Sequence, residues 1–254
     1  MRIDNTKKTK RVLGLAAAFA VVLGACGGGD DAAEAPTATD AEEVELTSSD
    51  GGILAAVQER GVLRCGVSGA AVAFSFTAAD GSMNGIDADY CRAVAAAVLG
   101  DATAVEFVSL TAAERFTAVQ TGSIDVLMRN STWTQSRDTD VGMDFGPTTY
   151  FDGQQLMARA ADGFTTSSQV SDVDGAVVCT NAGTTTETNI SELASVLGIK
   201  ITLTTFEDYD QVTEAFIAGT CDVITTDGSG LVGRKSVQEP SKDAWVIFPA
   251  TPFS

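Results

Sequence analysis

The chain has 254 residues, of which 34 are Asp or Glu and 16 are Lys or Arg, and its formal net charge is −18. This excess of carboxylates argues against nucleic acid and against anionic lipid as direct partners. Histidine is absent and none of the five cysteines stands in a C-x-x-C pair, so we expect neither a metal site nor a cofactor.

Residues 1–25 predict an export signal. Five basic residues precede the apolar run VLGLAAAFAVVLGA, which is too short to predict a membrane span. The run ends in LGAC, and Cys26 resembles the lipidated cysteine of bacterial lipoproteins; an ordinary secretory signal with a chance cysteine is the alternative. The resemblance implies cleavage after residue 25, acylation of Cys26, and an extracytoplasmic (periplasmic) protein that touches the membrane only through its lipid anchor.

Residues 26–52 are rich in Asp, Glu, Gly, Ser and Thr and contain almost no large apolar side chains. Such a segment cannot bury enough apolar surface to offset its ordering entropy, so we expect a disordered acidic tether. About 200 residues remain, enough for one large domain or for two lobes of about 100 residues.

The rest of the chain alternates predicted strands and helices twice. In the first half the strands are expected at 62–67, 104–110 and 124–130, and the helices at 87–100 and 111–122. In the second half the strands are expected at 176–181, 200–206 and 221–227, and the helices at 184–198 and 209–220. This order predicts two α/β lobes, each with a mainly parallel sheet flanked by helices, joined by a crossing strand or hinge at 150–160.

Four cysteines follow Cys26, namely Cys65, Cys91, Cys179 and Cys221. An even number in an exported chain predicts two disulfides, for which three pairings are possible. We favour Cys65–Cys91 and Cys179–Cys221, because each closes a loop within one half of the chain. Free buried cysteines are the alternative.

Polar residues follow the predicted strands in both halves. Ligands of open α/β sheets bind beyond the carboxyl ends of the strands. This rule selects Ser68, Phe74, Asn130, Thr132, Arg137, Gly183, Thr185 and Asp227.

Two of these residues carry opposite charges. We take Arg137 as the only one there with the planar fork of donors that suits a carboxylate. Free N–H groups where a helix opens at 184–186 also favour an anion. Asp227, in the other half, offers an acceptor for an ammonium group, so the two poles match the zwitterion of an α-amino acid.

Each assignment has a structural alternative. Arg137 could pair with Asp138 or Asp140 on the surface, and Asp227 could cap the helix that follows it. The threonine run could be only a helix start. Trp133 is expected to pack against the protein rather than stack on a ligand.

Four stretches fall in the order and spacing of a known family: GIDADYCRAVAAAVLGD, LTAAERFTAVQTGSIDVLMRNSTWTQSRDT, VCTNAGTTTETN and CDVITTDGSGL. Through them residues 53–254 resemble the bacterial extracellular solute-binding proteins of family 3, in particular the general L-amino-acid-binding members. The resemblance implies a two-lobed, type II periplasmic-binding-protein clamshell of the α/β class. It also implies a monomer, without enzymatic activity, that presents a free L-amino acid to an ABC permease in the cytoplasmic membrane.

The resemblance implies roles for individual residues. The family's carboxylate-binding arginine corresponds to Arg137, its hydroxyl partners to Thr132 and Thr185, its amide to Asn130, and its acceptor for the amino group to Asp227. The cysteines correspond to two disulfides within lobes. Many relatives cover the ligand side chain with an aromatic residue near position 71, where this chain has SGAAVAFSF, which fits a pocket of broad specificity.

The resemblance also implies boundaries along the chain. Lobe 1 is expected at 53–150, the crossing strand at 151–160, lobe 2 at 161–247, and the start of a second crossing strand at 248–254. Family members continue from there to complete the first lobe, so we expect the sequence to be a fragment.

Two rival functions would use the same fold. A dehydratase-like enzyme would need an acid or base near neutrality, for which Glu187 is the candidate, although it also fits as a first-turn helix carboxylate. Turnover of a substrate would distinguish this enzyme from a binding protein. A sensory ligand-binding module would need a membrane span and a signalling part beyond residue 254.

Overall fold

The computed structural model describes residues 52–250. The signal predicted at 1–25, Cys26 and nearly all of the tether lie outside the described residues, as do residues 251–254. Within 52–250, no helix combines the length and the apolar character needed to cross a membrane.

The first lobe is built on a parallel sheet of three strands. β1 (Leu63–Val67) lies between β5 (Val105–Ser109) and β6 (Val126–Leu127). A small antiparallel sheet joins β2 (Ala70–Ala71), β3 (Ser75–Thr77) and β4 (Met83–Asn84). The helices of this lobe are α1 (Ile53–Arg60), α2 (Ile86–Leu99), α3 (Arg115–Gln120) and α4 (Gln135–Asp140).

The second lobe has a five-stranded sheet in the order β11-β7-β10-β8-β9. Its parallel part contains β8 (Val177–Asn181), β9 (Thr202–Phe206) and β10 (Val223–Asp227), and its antiparallel strands are β7 (Gln154–Arg159) and β11 (Trp245–Pro249). The helices are α5 (Thr185–Leu197), α6 (Tyr209–Ile217) and α7 (Gly228–Gln238). Short 3-10 turns occupy 160–162 and 170–173.

Each lobe has its own apolar core, and a disulfide lies inside each core. Cys65 of β1 is bonded to Cys91 of α2, and Cys179 of β8 is bonded to Cys221, just before β10. All four cysteines are fully buried. The favoured pairing is therefore confirmed, and each bond ties elements of a single lobe together.

The predicted strands and long helices are confirmed, with shifts at their ends. The helix expected at 111–122 begins only at Arg115. In the turn before it, the Thr111 N–H and hydroxyl donate to the Glu114 carboxylate, and the Glu114 N–H donates to the Thr111 hydroxyl. The strand expected at 124–130 is reduced to β6, because the following backbone turns away: the Asn130 N–H donates to Asp87 Oδ2 at 3.2 Å. The elements that were not predicted, such as β2, β4 and α4, are too short for a periodic pattern.

Candidate functional site

A narrow cavity lies between the two lobes, at the carboxyl ends of their parallel strands. The first lobe lines it with Arg115, Arg129, Asn130, Thr132 and Arg137, and the second with Thr184, Thr185, Thr186, Tyr209, Thr226 and Asp227. Each of these side chains carries a polar group. The cavity measures about 20 Å³, close to the space of one water molecule, so a larger ligand enters only if the lobes move apart.

Arg137 is held in place by neutral partners. Its backbone N–H donates to the hydroxyl of Thr134, the residue directly before α4. Its side-chain Nη1 donates to the carbonyl oxygen of Thr132 at 2.9 Å. The guanidinium lies 5.1 Å from the centre of the Phe116 ring. Among the described residues no ion pair joins Arg137 to Asp138 or Asp140, so the surface alternative is wrong. Its remaining donors are available to an anion.

Asp227 stands at the end of β10, directly before α7, but its side chain makes no capping hydrogen bond. The capping alternative is therefore wrong. The carboxylate instead faces the cavity. The pKa of Asp227 is raised to about 6. Burial is the largest cause and the charge of Asp152 adds to it, whereas Arg137 and Arg115 act in the opposite direction.

Two further arginines border the cavity, so the expectation that Arg137 alone offers a guanidinium fork is wrong. Arg115 is only 2% exposed, and it donates to the carbonyl oxygens of Ala112 at 2.7 Å and of Gly183, in the other lobe, at 3.4 Å. Arg129 is 9% exposed, and its Nε donates to the carbonyl oxygen of Leu110 at 3.2 Å. Arg129 lies within the strand expected at 124–130 and was not selected as a candidate, and no pattern marked Arg115 as buried.

The three arginines repel one another. The pKa of Arg115 is lowered to about 9, mainly by burial and also by the charges of Arg129 and Arg137. Burial likewise lowers the pKa of Arg129 to about 10, and Arg137 adds to the effect. The residues that line the cavity carry three guanidinium groups and one carboxylate, that of Asp227. The wall is therefore an anion-attracting surface within an acidic protein.

Asp87, in the first turn of α2, does not line the cavity but binds a residue that does. It is 6% exposed and accepts the N–H of Asn130. Burial raises its pKa to about 6, while the bond to Asn130 and the charge of Arg129 oppose that rise. No sequence pattern indicated this role, since Asp87 lies on a different element from Asn130, which it orients.

The threonine run opens α5 and also joins the lobes. The Thr184 hydroxyl accepts the N–H of Glu187 at 3.1 Å, and the Glu187 carboxylate accepts the N–H of Gly183 at 2.8 Å. Glu187 therefore serves the helix start. The neighbouring Thr185 hydroxyl lies 3.1 Å from that of Thr132, in a hydrogen bond between the two lobes.

Several buried polar atoms of the cavity wall lack a hydrogen-bond partner within the described part of the chain. They are Arg115 Nε, Asn130 Oδ1 and the Tyr209 hydroxyl. Thr186 and Thr226 lie near that hydroxyl without reaching hydrogen-bond geometry, and burial raises the pKa of Tyr209. Unsatisfied buried polar atoms are uncommon in folded proteins, and a bound ligand would satisfy them. Sequence reasoning missed both Tyr209 and Thr226.

Five of the predicted site residues thus border one cavity: Arg137, Asp227, Thr132, Asn130 and Thr185. Three other candidates, Ser68, Phe74 and Gly183, do not border it. The Ser68 N–H donates to the Ser75 hydroxyl. Phe74 packs edge-on against Tyr150 and borders a second cavity of about 760 Å³. Gly183 caps α5 through its bond to Glu187.

Trp133 follows Thr132 in the chain, and its side chain is 63% exposed. The expectation that it packs is therefore wrong.

The fold and this cleft define a two-lobed, type II binding protein. Residues 63–176 match the family described as bacterial extracellular solute-binding proteins, family 3. This match and two relatives of 42% identity show that the chain belongs to that family.

The chain is 42% identical over 200 residues to the putative amino-acid ABC transporter-binding protein YhdW of Escherichia coli K12, covering 78% of this chain and 57% of that protein. It is also 42% identical over 197 residues to the general L-amino acid-binding periplasmic protein AapJ of Rhizobium johnstonii, covering 77% and 56%.

Among solved structures, an ABC transporter periplasmic binding protein from Brucella ovis with glutathione bound is 40% identical. Its TM-score is 0.72, and the match covers 77% of this chain and 60% of that one. The chain thus spans a little over half the length of the curated relatives that it matches.

Proposed function

We propose that this protein is the substrate-binding component of an amino-acid ABC importer, and that it holds a free L-amino acid between its lobes. The observation that carries the proposal is that Arg137 and Asp227, from opposite lobes, border one small polar cavity. The guanidinium would receive the α-carboxylate and Asp227 the ammonium group. The names of the relatives, which refer to amino-acid binding and to ABC transport, support the same role.

Binding would proceed by lobe closure around a hinge. The lobes would span 53–150 and 161–247, with the hinge at 151–160 and the start of a second crossing strand at 248–254. A ligand that touches both lobes favours the closed form, because only that form offers both sets of contacts. The closed shape would then be recognised by a permease.

The charge of the cavity wall favours a ligand with more than one carboxylate. A zwitterion satisfies one guanidinium and Asp227, which leaves Asp87, behind the wall, as the nearest negative charge to Arg129 and leaves Arg115 without a carboxylate of its own. A second carboxylate on the ligand would lie among these two buried cations. We therefore expect acidic amino acids, or small peptides with an acidic side chain, to bind more tightly than neutral ones. Glutathione, bound in the Brucella ovis protein, carries two carboxylates and one ammonium group.

The role proposed is binding without turnover. Glu187, the candidate acid or base of the enzyme alternative, is engaged at the start of α5. The family is extracellular, and for this protein we further propose export by residues 1–25, lipid anchoring through Cys26, and a monomeric state.

Isothermal titration calorimetry with the free amino acids tests the proposal. Wild type should bind at least one of them reversibly and leave it chemically unchanged. Arg137→Ala should bind that ligand at least about 100-fold more weakly, since a charge-assisted contact is lost from a partly buried site. Arg92→Ala is the matched control, because Arg92 pairs with Asp89 on the surface of the same lobe. Equal affinity in Arg137→Ala and wild type would reject the assignment.

A further inference from the structure

Arg234 of α7 lies outside the cavity and is only 4% exposed. Its Nη1 donates to Asp210 Oδ1 at 2.9 Å and to the Thr213 hydroxyl at 3.2 Å, both on α6. Its guanidinium also lies 5.2 Å from the centre of the Tyr209 ring. Arg234 therefore ties α7 to α6 and packs against the tyrosine that borders the cavity.

The same guanidinium reaches the other lobe. Its Nη2 donates to the carbonyl oxygen of Ala70, in β2, at 3.3 Å. The adjacent Gly233 lies beside Val72, and a Cβ at position 233 would stand 3.2 Å from both the Cβ and the carbonyl oxygen of Val72. The close approach of the two lobes at this point therefore depends on the absence of a side chain at Gly233.

This contact differs from the other hydrogen bonds between the lobes. Thr132–Thr185 and Arg115–Gly183 use side chains that border the cavity, so a ligand would compete with them or rearrange them. Arg234 and Ala70 border neither this cavity nor the second one, which Gly233 and Val72 do line. Their bond can favour closure whichever ligand is bound.

Resting on the proposed function, we propose that Arg234 and Gly233 form a closure contact. Arg234 is a positioning residue: it stabilises the closed lobes and supports Tyr209 at the cavity wall without touching the ligand. Apparent affinity scales with the population of the binding-competent state. Loosening the contact therefore weakens binding through the closure equilibrium.

Two variants test the contact, one by adding a methyl group at Gly233 and the other by replacing the guanidinium of Arg234. In Gly233→Ala the added methyl meets Val72 of the other lobe, while alanine itself is favourable inside a helix. In Arg234→Lys the charge is kept, but an ammonium cannot span Asp210 and Ala70 as a planar fork does. Gly230→Ala is the matched control on the same helix, because its methyl makes only an ordinary contact, 3.4 Å from Thr226 Cγ2, within one lobe.

The measurements are calorimetric affinity, melting temperature, and radius of gyration from small-angle X-ray scattering, with and without the tightest-binding amino acid. We expect both variants to bind about tenfold more weakly. The free variants should show a larger radius than free wild type, and saturating ligand should restore the wild-type radius. Gly230→Ala should match wild type in both quantities, and Gly233→Ala should keep the wild-type melting temperature.

Wild-type affinity and radius in Gly233→Ala would overturn the closure contact. A lowered melting temperature in Arg234→Lys, with no change in affinity or radius, would also overturn it, because the residue would then be only structural. If no amino acid binds to wild type, the proposed function fails separately. In that case the closure contact is judged only by the radii of gyration of the ligand-free proteins. A larger radius in the variants than in wild type supports the contact, and equal radii reject it.

Discussion

The carboxylate of Asp152 accepts hydrogen bonds from the backbone N–H of Ser229, at 3.2 Å, and from its hydroxyl group. Asp152 thereby caps α7, a task that would otherwise fall to Asp227, the residue directly before the helix. Asp227 is left with its carboxylate facing the cavity, beside a second negative charge. This arrangement leaves the carboxylate that we propose to bind the ammonium group available at a helix start, and it has consequences for stability and for pH dependence.

Asp227→Asn should weaken ligand binding and at the same time stabilise the free protein. An amide cannot balance an ammonium charge, so affinity should fall at least about 100-fold. The folded-state pKa of Asp227 is about 6, above the ordinary 3.8. The stability that this group contributes is thus complete below about 3.8 and is lost as the pH rises through about 6. At pH 7.5 the variant should melt above wild type.

Thermal denaturation and calorimetry at pH 7.5 check both statements. Asp89→Asn, which removes an exposed first-turn carboxylate of α2 and its pair with Arg92, is the control: it should leave affinity unchanged and should not raise the melting temperature. A melting temperature below that of wild type, or undiminished affinity, would contradict the assignment of Asp227.

Ligand affinity should depend on pH between about 5 and 7. The free protein must ionise Asp227 to receive an ammonium group, so binding should weaken as the pH falls through the Asp227 pKa of about 6. Asp152→Asn removes the negative charge that helps to raise this pKa, so the midpoint should move to lower pH. The same variant keeps a capping oxygen but loses a negative charge at the start of α7, which should cost about 0.3–1 kcal/mol of stability.

Asp87 also has a pKa of about 6 and orients Asn130, so it needs its own control. In Asp87→Asn the pH profile should keep its midpoint while the affinity at every pH falls. A profile that is flat from pH 5 to 7 in wild type would contradict the role of Asp227.

The sequence was sufficient for the fold because the fold rests on regular patterns. Helices α2, α5 and α6 are long enough for periodic burial to be visible, and strands β8 and β10 are short, continuously buried runs between helices. The even cysteine number agreed with two lobes. The cavity was only partly predictable. Arg137 and Asp227 follow strands and could be found by that rule, whereas Arg115 lies within α3 and is buried by packing against the other lobe, through Gly183. Contacts between lobes have no signature in a local pattern.

The charge of the cavity predicts a preference that can be measured as a ratio. Wild type should bind glutamate more tightly than glutamine, because on our proposal the side-chain carboxylate would lie between Arg115 and Arg129. Arg115→Met should reduce that ratio by about tenfold or more, the size of one charge-assisted hydrogen bond. The ratio is insensitive to a general loss of stability, since both ligands are measured on the same variant. A ratio unchanged from wild type would show that Arg115 does not recognise the ligand.

The two disulfides should stabilise the lobes without restraining closure. Each joins elements of a single lobe, across loops of 26 and 42 residues. Replacing Cys179 and Cys221 together by serine should lower the free energy of unfolding by about 3–4 kcal/mol. Below its melting temperature that variant should bind the ligand as wild type does, because no covalent link between the lobes has been lost. Mass mapping of a non-reducing digest supplies the direct check: a peptide that joins Cys91 to Cys179 would place a covalent bond between the lobes and exclude closure by rigid-body rotation.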